Sequence, residues 1–146
     1  MGLPVAWAYY DSFLLEKNNG TQDLDTDEFS IALFLSASNC ADLTLATFAL
    51  LTGEHAEENG YLQGGLPVAP TLTGSSQNVN FTTSPAEWTA TGGNIVARFA
   101  VKYNTTTGGL VGYSLMDDEP ADKTATDGNT FTVSDNASGM FDEAPV

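Results

Sequence analysis

Asp23, Asp25 and Asp27 form a D-x-D-x-D run, and carboxylates clustered at that spacing are how a protein holds a hard cation such as calcium. The pattern then breaks. Glu28 stands where a calcium loop needs glycine, and Phe34 stands where it needs a bidentate acid. A solvated turn leading into a strand is the better reading, and Asp117, Asp118 and Glu119 carry no more weight as ligands. No metal or cofactor is expected.

Two carboxylates facing each other across a cleft would suit glycoside hydrolysis, but a chain with 19 Asp and Glu always supplies a nominal pair. The single His55 lies among Glu54, Glu57 and Glu58 and reads as a surface residue rather than a catalytic base. Cys40 follows an apolar strand and reads as a small buried residue. One His and one Cys are too few for a Cys/His zinc ligand set, no nucleophile–base–acid triad is marked by a motif, and no phosphate-binding glycine loop is present. The expectation is a protein that is not an enzyme.

These residues need a scaffold, and 146 residues suffice for one domain with a sizeable core. Four basic residues against 19 acidic ones give a formal charge of −15. That balance disfavours nucleic acid, whose binding depends on Lys and Arg displacing counterions, and anionic membranes for the same reason. It suits solubility, or equally a salty habitat. A lone cysteine cannot form an internal disulfide. The start MGLPVAWAYYDSF has no basic region of the signal-peptide kind and no stretch has the length of a membrane span. A soluble protein made in a cytoplasm is expected.

The clearest structural signal is residues 94–115. Ile95, Ala97, Phe99, Val101 and Tyr103 alternate with Val96, Arg98, Ala100 and Lys102, and a Thr- and Gly-rich turn returns the chain into 110–115. This is a hairpin, with the first set facing the core and the second, carrying two of the four basic residues, on the surface. Trp7, Tyr10 and Leu14 predict a short helix over 6–17. Further strands are expected at 29–36, 66–73, 77–83, 87–89 and 130–134, while 43–51 suits strand or helical turn. Residues 54–65 read as an exposed loop whose Gly60, Gly64 and Gly65 need glycine backbone freedom, 117–129 as a polar loop, and 140–146 as a tail held only by docking. The expected fold is mainly β, an antiparallel β-sandwich or jelly-roll-like single domain with a short N-terminal helix. Residues 1–17 would form an arm and helix, and 18–146 the sandwich.

Asn19, Asn80, Asn104 and Asn136 each open an Asn-x-Ser/Thr sequon, as chance provides in a chain rich in both types. Trp7, Tyr9 and Tyr10 could present rings to a sugar or protein partner, or pack the helix on the sheet. Arg98, a guanidinium among many carboxylates, should find an acidic partner inside the chain or across a subunit interface.

Several stretches together resemble a group of small tailed-phage proteins, some associated with the virion head. They are Asp23 to Asp27 leading into Ile31, Ala32 and Leu33; Gly60, Tyr61, Gly64 and Gly65; Trp88 with Ala90; Ile95, Ala97, Arg98, Ala100, Val101 and Tyr103; 110–113; and Phe131, Val133, Asp135, Gly139 and Met140. The likeness spans roughly residues 10–141. Ser134 departs from it, standing where the group often has tryptophan, as does the apolar extension 1–8. The resemblance implies a head decoration, or cement, protein on the capsid exterior that binds the major capsid protein lattice as a dimer or trimer. Read from their chemistry rather than from the resemblance, the candidate contact residues are Leu3, Val5, Trp7, Tyr9 and Tyr10 of the N-terminal arm and Arg98. The alternatives are a tail-associated adaptor, a carbohydrate-binding sandwich module and, well behind them, an acid-pair hydrolase. An exposed strand edge such as 77–83 could pair across a symmetry axis.

Overall fold

The computed structural model describes residues 6–75, 77–116 and 121–135, and the backbone of 141–143. The protein is mainly β, with antiparallel sheets and one α-helix in a single small domain. Its centre is β2 (Phe29–Phe34), an apolar run buried along its whole length. It pairs on one side with β3 (Leu66–Val68) and on the other with β8 (Phe99–Asn104). Beyond β8 lie β9 (Leu110–Leu115) and the two-residue β1 (Ala8–Tyr9), completing a five-stranded sheet in the order β1-β9-β8-β2-β3.

Both faces of this sheet are covered. On one, Phe29, Ile31 and Leu33 meet side chains from three smaller sheets in the main core, including Phe81, Trp88, Ile95 and Phe131. Those sheets are β4 (Pro70–Ser75) and β5 (Asn78–Thr83) with β12 (Phe141–Glu143); β6 (Ala86–Thr89) with β11 (Thr130–Val133); and β7 (Ile95–Ala97) with β10 (Lys123–Ala125). On the other face, Ala32, Phe34, Val101 and Leu110 pack with Tyr10 and Cys40 beneath Leu43, Leu45 and Phe48. Of the two readings of residues 43–51, strand or helical turn, the turn is the one observed. These residues form a covering loop with one 3-10 turn, Phe48–Leu50, and a bridge from Thr47 to Gly109.

Helix α1 (Asp11–Asn19) starts later than the spacing predicts and ends on Gly20, whose φ of 85° supplies the left-handed cap. Trp7 lies outside it because Ala8 and Tyr9 complete the edge of β9 instead, opposite Tyr113 and Gly112. Ladder bonds to an open edge override a weak helical pattern. Of the helix only Phe13 is buried, while Leu14 and Leu15 are 46% and 65% exposed.

The expected strand 94–103 is two strands in different sheets, broken by a bend at Arg98. Ile95 and Ala97 face the main core; past the bend the parity flips, so Ala100 faces it while Val101 and Tyr103 face the second cluster. One extra residue moves every later side chain to the opposite face. Lys102, expected on the surface, is thereby turned inward and fully buried.

Three more expectations are corrected. The loop 54–65 is not simply exposed, since His55 and Tyr61 are 5% and 1% accessible. The polar stretch 117–129 contains β10, whose pairing with β7 its hydropathy does not reveal. Residues 141–143 pair with β5, which is thus an inner strand between β12 and β4 and offers no free edge.

Candidate functional site

The structure gathers its chemistry-bearing side chains into three polar centres. In the first, Lys102 Nζ lies 2.8 Å from Asp135 Oδ1 and 4.8 Å from the centre of the Trp7 ring. The other carboxylate oxygen accepts bonds from the Thr83 amide at 2.8 Å and the Thr82 hydroxyl at 2.9 Å. Burial pushes the Lys102 ammonium down to about 8, against the pull of Asp135, because a charge removed from water is costly. Burial, and then the Asp135 charge, push the Tyr9 phenol up to about 12. A lysine near neutrality could serve as a nucleophile or base, but this one is sealed inside the protein, with its side chain wholly out of water. It ties together the residues before β1, strand β8, the end of β5 and the chain after β11.

The second centre explains the aspartate run. Asp23 Oδ1 accepts the amides of Asp25 and Thr26, which hold its carboxyl below the usual range. Asp27 Oδ2 accepts the Asp23 amide and, at 2.7 Å, the Asn104 side-chain amide. Asn104 is fully buried, and its Oδ1 accepts the amides of Thr106 and Thr107 in the hairpin turn. Gln22 completes the centre with bonds to Glu16 and the Leu110 carbonyl. These carboxylates organise a turn and its neighbour.

In the third, the Tyr61 hydroxyl donates to Glu54 Oε1 at 2.7 Å and accepts the Leu33 amide at 3.0 Å. Burial, before any other cause, raises the phenol well above its ordinary value. Glu54 also receives the Gly64 amide, and the Tyr103 hydroxyl donates to the Gly64 carbonyl. His55 bonds through Nδ1 to the Ala56 carbonyl at 2.7 Å, with the Val96 amide 3.5 Å from Nε2. That pattern places the ring proton on Nδ1. The histidine fastens its loop to β7 and has no nucleophile as a bonding partner among the described residues.

The residues singled out for contact do not share one surface. Trp7 and Tyr10 are core, Tyr10 donating to the Cys40 carbonyl, and Tyr9 is half-buried with its ring stacked on Phe13 at 5.8 Å. Arg98 Nε pairs with Asp122 at 2.9 Å on the surface, an internal partner. Leu3 and Val5 lie outside the described residues, as do Asp117, Asp118 and Glu119.

The chain matches no protein-family model, no curated protein and no solved structure.

Shallow clefts open on the surface among the described residues. One of about 340 Å³ lies between the end of α1 and the β4–β5 hairpin, lined by Leu24, Leu72 and Val79. A second, of about 560 Å³, has Phe48, Tyr103, Thr105 and Thr107 in its wall. Another, of about 690 Å³, runs from Asp25 to Pro70. Sequence reasoning missed Lys102 and Asp135 as a pair; a lysine inside an apolar strand was the available signal. The other basic side chains are also engaged: Lys17 bonds Asn18, Arg98 pairs with Asp122, and Lys123 stands over the Phe131 ring.

Proposed function

We propose that this protein decorates a phage capsid, binding the outer face of the assembled coat lattice and stabilising the head. The reading starts from the phage-like motifs in the sequence. The observation that carries it is the charge balance: 4 basic residues stand against 19 acidic ones, and Arg98 and Lys102 are already paired with Asp122 and Asp135, so the protein is acidic on balance. Such a balance suits a basic protein lattice, and many copies on a shell make modest contacts sufficient through avidity. The three polar centres agree with a binding role, because their groups bond one another and stabilise turns and strand ends.

Quantitative mass spectrometry of separated heads and tails tests this. Hundreds of copies in the head fraction are expected; a handful, or none, would defeat it.

A second reading, a sugar-binding module, rests on Phe48. Its ring stacks on Tyr103 at 3.9 Å beside Thr47, Thr105 and Thr107, and an aromatic wall with nearby hydroxyls is suitable chemistry for a sugar. A glycan array would give a signal that Phe48→Ala abolishes; a blank array would end this reading.

A further inference from the structure

In a chain carrying 23 charged residues, residues 59–86 contain none. This run supplies β3, β4 and β5, so the whole β4–β5 hairpin is free of charge. Strand β4 is unlike the other strands. It is exposed from Thr71 through Ser75, and among the described strands nothing pairs with its outer side. Edges of this kind are usually guarded by lysine, a bulge or an inward charge; β4 has only Pro70 at its start.

The register fixes which main-chain groups are free. Ser84 N–H bonds the Ala69 carbonyl, so the pairs 69/84, 71/82, 73/80 and 75/78 are the hydrogen-bonded ones, and the N–H and C=O of Leu72 and Gly74 point away from β5. Two such groups, two residues apart, are self-complementary. Around a twofold axis through Thr73, Leu72 of one copy exchanges both bonds with Gly74 of the next, and the reverse, giving four main-chain bonds. Each Leu72 side chain then lies over a glycine, and the two Thr73 side chains face each other.

We infer that β4 is a homodimerisation edge, joining two copies of this chain antiparallel through residues 71–75. Self-complementarity selects the second copy as the occupant: the Leu72 and Gly74 groups that one edge offers are the ones the other needs. Two bodies at −15 repel one another over an acidic surface, and the β4–β5 hairpin lets them meet without setting charged side chains of its own against each other. The contact is isologous and closes on itself. The inference is independent of the capsid reading and holds for any function of the dimer.

Sedimentation equilibrium of the full chain tests it. A monomer–dimer equilibrium is expected that tightens at least tenfold from about 0.01 M to about 1 M salt, as the Debye length falls from about 30 Å to about 3 Å. Thr73→Glu sets two carboxylates against each other and should weaken the dimer at least tenfold, as should Thr73→Lys. Mixing those two variants should restore it, since the introduced charges are then opposite, which also shows that both variants fold. Ser36→Glu adds the same charge at an exposed position outside the hairpin and should behave like the unaltered chain once salt screens it. A monomer at up to about 1 mM, the weak limit of specific association, would overturn the inference. So would a dimer indifferent to Thr73→Glu, or head binding lost in Thr73→Glu by a chain that is itself monomeric, which would give the edge to another protein.

Discussion

Lys102 Nζ and Asp135 Oδ1 are 2.8 Å apart, both side chains almost wholly out of water, and 33 residues separate them along the chain. Each charge is tolerated because the other is present. Removing one leaves a buried charge without its counterion, which costs more than the intact pair contributes.

Lys102→Met is therefore expected to destabilise the protein by about 3–5 kcal/mol in urea unfolding. Adding Asp135→Asn should recover more than half of that loss, because the amide oxygen can still accept the Thr83 N–H. A double variant no better than the single one would show that the pair does not dominate this site.

Stability should depend on pH with a definite sign. Lys102 keeps its proton to about 8 in the folded state and to 10.5 in the unfolded one. Between these values the unfolded chain binds more protons, so stability rises with pH. The slope approaches about 1.4 kcal/mol per pH unit. Cys40, raised by burial from 9.0 to about 11, and Tyr9, raised from 10.0 to about 12, act oppositely, because their unfolded forms lose protons first. A stability maximum near pH 9 is expected, and urea midpoints across the alkaline range would locate it. The Lys102→Met variant should lack the rise above pH 8.

Tyr61→Phe keeps the ring among Trp88 and His55 but removes the hydroxyl joining Glu54 to the Leu33 amide. A loss of about 1–3 kcal/mol is expected, the cost of a buried donor left unmade. No change in the urea midpoint would mean that water replaces the hydroxyl.

Two glycines with nearly equal φ should respond differently to alanine. Gly92, at 79°, has open space around the new Cβ and should lose about 1 kcal/mol. At Gly65, at 77°, the Cβ would collide with the Ile31 carbonyl on the central strand. There the loss should exceed about 3 kcal/mol, since backbone must move as well. Thermal denaturation of the two variants side by side decides this, and equal losses would place the strain in φ alone.

The sequence by itself determined what depends on neighbours along the chain. Alternation and turn chemistry marked β2, β9 and β11 closely, glycine spacing found Gly60 and Gly65, and the failed cation pattern at Asp23 correctly read as a turn. Tertiary structure decided what depends on register and distant partners. Hydropathy gives no sign of the bend at Arg98, because Arg98 and Lys102 share a parity in an unbroken strand; only the change of sheet there turns Lys102 inward to Asp135. The polar or terminal segments that became β1, β10 and β12 are strands only because open ladder bonds on β9, β7 and β5 recruit them. The seclusion of His55 and Tyr61 likewise comes from contacts with β2 and β7. A period of two tells which residues share a face, but the fold chooses which face is inside.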